Sequence, residues 1–290
     1  MNEYATLREM RSYLNLGDTN TEDDERILQF VRRASRAIDA YTRRKFYPQR
    51  KLLDFDYEYS DEVRFNRDVL ELKGLSDLNG ASGMGLDVLY LSCGYDYNYS
   101  PYDRVRIKDD SGSLFNFQGT TQKAISADVI LGYHEDYENA WMNSDGFLTA
   151  SLASSLTTAS MSASSGENAW GITPRYDAEN ILRIGTGASE EYIYIKSFTN
   201  SSLAKIVRGV NGTTAKDHAS DTPVEVWQPE PEIRFSTVRL AQWQYETTQN
   251  PIYSKLFSPQ FGTIELPFSW PLEIRDKLDR YKRSRIESAF

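Results

Sequence analysis

The stretch TEDDERILQFVRRASRAIDAYTRRKF, residues 21–46, leaves the chain little conformational freedom. Ile27, Val31, Ala34, Ile38 and Tyr41 recur at spacings of four, three, four and three, the period of a helix and not of a strand. The reading is one long helix of about six turns with an apolar stripe that must pack on something. Thr21 stands where an N-cap would, Glu22 to Glu25 crowd the first turn, and Arg43, Arg44 and Lys45 fall in the last. Both ends then suit the helix dipole. Arg32, Arg33 and Arg36 lie off the stripe, so the far side is basic. That side reads either as a solvated face or as a subunit interface, in which Asp23 and Asp24 of one copy attract Arg32, Arg33 and Arg36 of the next while the apolar stripe supplies most of the affinity.

The rest of the chain arranges itself around this helix. Before it, residues 5–14 read as a short helix with Leu7, Met10 and Leu14 on one side, and the Gly17-Asp18 turn makes the two a hairpin. After Pro48 the period drops to two: Leu53, Phe55, Tyr57 and Tyr59 alternate with Asp54, Asp56 and Glu58, a strand with one wet face. EVRFNRDVLEL, VLYLS, DRVRIKD and AISADVILGY continue as strands, so residues 1–141 read as a helical hairpin plus an antiparallel sheet. Residues 144–166, SDGFLTASLASSLTTASMSASSG, are by composition a linker or disordered segment, the ordered alternative being a run of poorly hydrophobic strand or extended chain laid along a neighbour. ILRIG, EYIYIK, LAKIV and VEVW then form a small all-β unit over 180–228, with a tight turn at Asn211-Gly212. The segment 142–229 is on this reading a peripheral insert. A return helix over 233–248, within 230–250, completes a helical core, and 251–290 is an extended arm ending in a basic helix over 271–288. The fold class is α+β.

Composition narrows the function. A formal charge of −9 on 290 residues argues against a protein whose main task is gripping phosphates. Cys93 is the single cysteine, so neither an internal disulfide nor a cysteine metal cluster can form. The start, MNEYATLREM, has no signal-peptide pattern, and no run of about 18 apolar residues occurs; the expectation is a soluble, unexported chain without a membrane. Asp54, Asp56 and Glu58 could in principle serve an ion or a glycosidase pair, but alternation already accounts for them. Asp109-Asp110 lacks the later glutamate of a calcium loop and reads as a hairpin turn. His134 and His218 read as surface hydrogen-bonding residues beside acids. GMG at 83–85 lacks the lysine of a phosphate loop, and no GxSxG is present. No catalytic residue, cofactor or metal site is assigned.

DDERILQFVRRASRAIDAYTRRKF, with the short helix before it and the switch to strands after it, resembles the head-to-tail connector (adaptor) proteins of tailed bacteriophages. The strand ending at Gly132-Tyr133, the helix from Ile233 and the tail PLEIRDKLDRYKR look like that family's closing strand, return helix and C-terminal segment. EYIYIKSF and VRGVNGTTAKDHASDTPVEVW resemble a β insert of many phage structural proteins. This chain departs from the simplest connectors in its extra length.

The resemblance implies a non-enzymatic virion protein, made in the host cytoplasm and placed at the neck. It would form a ring, typically of twelve copies, between the portal and a tail or neck protein, and DNA would pass through without sequence-specific binding. It also implies that the C-terminal arm binds the portal. Pro251, Pro259, Pro267 and Pro271 keep that arm extended, while Phe257, Phe261, Phe268 and Trp270 need a partner surface. Arg275, Lys277, Arg280, Tyr281 and Arg283 join them as portal-binding candidates on the basic helix, whose apolar edge would lie in a groove of the partner. Two other readings stand beside this one: a virion carbohydrate- or receptor-binding module, from the Tyr- and Trp-rich strands, and a phage-borne cell-wall hydrolase.

Overall fold

Thr6 opens the first helix, α1 (Leu7–Tyr13), through a reciprocal cap: its hydroxyl accepts the Glu9 N–H at 3.3 Å and the Glu9 carboxylate accepts the Thr6 N–H at 2.8 Å. Two donors that a helix start leaves open are thereby satisfied. The long helix α2 is Asp24–Thr42, shorter at both ends than expected. Asp23, not Thr21, holds the cap position, without a side-chain capping bond. Arg43 adopts a left-handed conformation at φ 58°, which breaks the i to i−4 ladder, so Arg44 and Lys45 lie beyond the helix and its last turn holds no base. The computed structural model describes residues 1–17, 21–77, 84–93, 96–97, 100–115, 119–249, 255–258, 262–265 and 270–283, with backbone alone at 96–97, 249, 255–258 and 262–265.

Six strands follow: β1 (Gln49–Phe55), β2 (Glu62–Asp77), β3 (Leu89–Cys93), β4 (Asp96–Tyr97), β5 (Tyr102–Ile107) and β6 (Ile125–Leu131). They pair antiparallel in the order β1-β6-β2-β5-β3-β4. Register shifts along β2 bend this long strand so that it pairs with both β6 and β5. β1 stops at Phe55, and Tyr57 and Tyr59 lie past it, Tyr59 with φ 57°.

After a short turn of helix, α3 (Tyr137–Ala140), the second sheet begins with β7 (Trp141–Phe147) and continues through β8 (Thr158–Ser160), β9 (Ile181–Ile184), β10 (Glu191–Asn200), β11 (Leu203–Val207) and β12 (Pro223–Trp227). Its antiparallel order is β7-β12-β9-β10-β11-β8. The Ser/Ala/Thr-rich tract is part of this sheet and its core, not a linker or a strip laid on another chain. Leu148, Leu152, Ala159 and Met161 are buried with Leu182, Ile193 and Val224. Their spacing fits neither period two nor 3.6, so no periodic pattern announces them.

The chain returns through α4 (Pro231–Gln249), whose proline at the first helical position has no N–H to leave open. Past it lie a hairpin of β13 (Lys255–Ser258) with β14 (Gly262–Glu265) and the last helix, α5 (Leu272–Asp279). The arm thus contains a regular antiparallel ladder where prolines suggested none, and its helix ends well before residue 288, with 284–290 outside the described residues. Among the described residues the class is α+β, with five helices and two six-stranded antiparallel sheets.

One apolar core joins these parts. Ile27, Val31, Ala34 and Ile38 of α2 are fully buried within their own chain, beside Met10 of α1, Ile233, Leu240 and Ala241 of α4, and Ile274 and Leu278 of α5. Each such isoleucine, leucine, valine or methionine contributes roughly 1.5–3 kcal/mol by leaving water. Tyr192, Tyr194 and Trp227 of the second sheet enter the same cluster, and the Trp227 indole donates to the Phe46 carbonyl at 3.1 Å. Lys73 of β2 pairs with Glu190 at 3.0 Å. A Cβ on Gly212 would sit 2.0 Å from the Arg50 carbonyl oxygen of β1. The structure seats the β insert on the helical body and the first sheet, where sequence reading has a peripheral appendage.

Candidate functional site

With its stripe buried, α2 has one face left for a partner. Gln29, Arg32, Arg36, Ala40 and the capping Arg43 are exposed at intervals of three or four, with Arg33 exposed beside Arg32, and the charges on this face are four arginines. The acidic residues expected to answer it on a neighbouring copy are occupied at home. Asp24 pairs with the buried Arg11, and Asp23 accepts the Tyr245 hydroxyl of α4 at 3.2 Å. Arg32 pairs with Glu3 at 2.7 Å and Arg36 with Asp39 at 3.4 Å, while Arg33 lies over the Phe30 ring at 5.8 Å. Burial pushes the Asp39 carboxyl up to about 6, against the Tyr4 hydroxyl that donates to it. Among the described residues Arg33 and Arg43 have no carboxylate partner.

The predicted portal-binding residues divide. Tyr281 is buried, its ring edge-on to Phe46 and Tyr133 at 5.8 Å each. Ile274 and Leu278 of the same helix are buried beside it, so the apolar edge expected to enter a partner's groove is packed on its own chain. Trp270 lies 5.3 Å from the Tyr41 ring. Lys277 pairs with Glu232 at 3.2 Å and sits over Phe235 at 4.3 Å. The Arg283 backbone N–H donates to the Thr42 carbonyl at 2.9 Å, closing the end of α2. Arg275 and Arg280 remain on the exposed side of α5. Phe261 and Phe268 lie outside the described residues, and so does the Phe257 side chain.

A groove that sequence reading missed runs between α1, the turn before α3, the loop 170–174 and the start of α4. Its volume is about 870 Å³. Tyr13, Trp170, Ile172 and Phe235 supply apolar wall, with Trp170 61% and Ile172 53% exposed. Glu135 and Asp136 stand at its mouth, and Glu138 follows them on α3. Those three carboxylates are exposed and have no cationic partner among the described residues. The turn is fixed from behind: Glu230 accepts the Glu135 N–H, and the buried His134 accepts the Asp136 N–H through Nδ1 at 3.0 Å. Burial holds the His134 imidazole below its ordinary value and raises Glu230. The one sequence signal for this groove was AWGITP, a tryptophan and an isoleucine amid turn residues after a polar tract.

The remaining candidates are structural. Glu191, fully buried, accepts from Arg208 Nε at 2.7 Å and Nη2 at 2.6 Å, and from the backbone N–H groups of Gly209 and Lys216 at 2.9 Å each. His218 Nε2 lies 3.0 Å away. Burial pushes the Glu191 carboxyl up, but these donors outweigh it and hold it below the usual range. RGVNGTTAKDHA is therefore a loop wound around one carboxylate, and Leu152 pairs with His218 in a β-bridge that ties the Ser-rich tract to it. Both histidines are buried, contrary to the surface role expected of them. Asp54 accepts from the Ser126 hydroxyl, Asp56 from the Lys123 N–H, and Asp109 from Arg106. Among the described residues no three His, Cys, Asp or Glu side chains are grouped to hold a metal ion, and no helix is long and apolar enough to cross a membrane.

Residues 4–70 fit the family model described as phage gp6-like head-tail connector protein. The matched span takes in α1, α2, β1 and most of β2, and this supports a structural connector role in a phage particle. The second sheet and the C-terminal helix lie beyond it. No curated protein matches the chain.

Proposed function

We propose that this chain is a head-to-tail adaptor of a tailed bacteriophage: copies assemble as a ring at the virion neck, between portal and tail, and frame the channel through which DNA leaves. The observation that carries this reading is the connector match over residues 4–70, which includes the helix α2, whose one exposed face is basic and available to a partner. The seating of α4, α5 and the second sheet on that helix supports a single body that presents two surfaces, the α2 strip and the exposed side of α5. Portal contact is assigned to that side of α5, through Arg275 and Arg280, together with the arm before it. Because Trp270, Lys277 and Tyr281 make contacts at home, they hold α5 in place and present the two arginines.

The test is assembly on purified portal, followed by electron microscopy and native mass measurement. A ring of adaptor copies coaxial with the portal is expected. The variant Arg275→Glu/Arg280→Glu should fold normally and bind portal at least about tenfold more weakly, since opposed like charges penalise docking. A wild-type chain that shows no binding to portal, alone or with tail protein, refutes the adaptor role.

A further inference from the structure

Two exposed patches of opposite sign stand out among the described residues. One is the α2 strip, where Arg33 and Arg43 lack a carboxylate and Arg36 is half exposed beside Asp39. The other is at the start of α3, where Glu135 and Asp136 line the groove beside Trp170 and Glu138 follows on α3, all three exposed and without a cationic partner among the described residues. An arginine seeks two things together, a planar carboxylate to pair with and an aromatic face to lie on. The groove mouth offers both.

The two patches cannot meet within one copy. α2 packs its buried side toward α1 and α4, the helices whose Tyr13 and Phe235 wall the groove, and its arginines are on the opposite side. We propose that they meet between copies: Arg33, Arg36 and Arg43 of one copy seat on Glu135, Asp136 and Glu138 of the next, with guanidinium stacking on Trp170. This deepens the ring reading and rests on it. The contact joins two different surfaces of the same chain, so it is head-to-tail and repeats around a ring. A phosphate backbone is a poor occupant of the groove, because the Glu135 and Asp136 carboxylates in its wall, with Glu138 close by, have no cation to offset them.

Sedimentation and native mass of the full chain, over a range of concentration at low and high salt, test the contact. Wild type is expected to self-associate, more weakly as salt rises. E135K/D136K/E138K and R33E/R36E/R43E should each keep the wild-type circular dichroism and lose self-association by about tenfold or more. Mixing the two variants should restore it, since each then supplies the sign the other lacks. Three results overturn the proposal: a wild type that stays monomeric, a groove-reversed variant that associates as wild type does, or folded variants that fail to complement on mixing. Retained portal binding in any of these cases would leave the adaptor role standing and remove only this contact.

Discussion

Glu179 offers a test of how the N-terminal segment is held on the second sheet. Its carboxylate is buried, 7% exposed, and accepts the Leu7 N–H at 3.2 Å. Burial, helped by Glu3 and Asp177, pushes it from 4.5 up to about 7, although the Leu7 N–H pulls the other way. In the unfolded chain the group ionises near 4.5, so between there and about 7 the folded state keeps a proton that the unfolded state has lost. Its stabilising contribution is fully present below about 4.5 and is lost as pH climbs through about 7. Carrying the carboxyl over that span corresponds to roughly 3 kcal/mol, at 1.36 kcal/mol for each tenfold change in proton concentration. Glu179→Gln keeps an acceptor for Leu7 and never ionises. Urea unfolding followed by tryptophan fluorescence should therefore give equal stabilities for variant and wild type at pH 4.5, and a variant more stable by up to about 3 kcal/mol at pH 8. A difference that does not change with pH, or a less stable variant at pH 8, would refute the assignment.

Gly212→Ala should lower the melting temperature sharply, by about 2 kcal/mol or more of stability, because its φ of +85° and the Arg50 carbonyl both exclude a Cβ. Glu191→Gln should cost about 3–5 kcal/mol in chemical unfolding by leaving the Arg208 guanidinium buried without its partner, and a near-neutral effect would show the loop is held otherwise. Leu278→Ala should cost about 2–5 kcal/mol if α5 is packed as described, whereas a helix that docks only on a partner would show no loss in the isolated chain.

Legibility followed periodicity. The stripe of α2 and the strands EVRFNRDVLEL, DRVRIKD, EYIYIK and VEVW were readable because side chains repeat at 3.6 or 2. Helix ends were not, since Arg43 in a left-handed conformation ends α2 where a glycine would have been the usual signal. The Ser-rich tract was opaque for a different reason: Leu148, Leu152 and Met161 are buried one at a time by irregular chain, held by backbone bonds to Thr222, His218 and Ser202. The C-terminal helix is a third case. Large apolar residues did mark a docking helix, but sequence cannot say whose surface takes it, and for Tyr281 and Leu278 it is the chain's own core.

That reassignment changes what a ring of this chain would rest on. An apolar stripe shared between copies would give an interface strong enough to assemble spontaneously, but the stripe of α2 is already spent on α1, α4, α5 and the second sheet. What remains on the helix is arginine. Exposed ion pairs contribute about 0–1 kcal/mol each and are screened by salt, so a single contact between two copies through that face is weak. A closed ring gives every copy two such contacts, and a template that holds several copies at once raises their effective concentration. The expected behaviour is therefore sparse association of the free protein at physiological salt and full assembly only on the portal, which would keep rings from forming before there is a particle to receive them. Free protein that forms complete rings, stable to high salt and without portal, would show that an apolar surface outside the α2 strip carries the assembly.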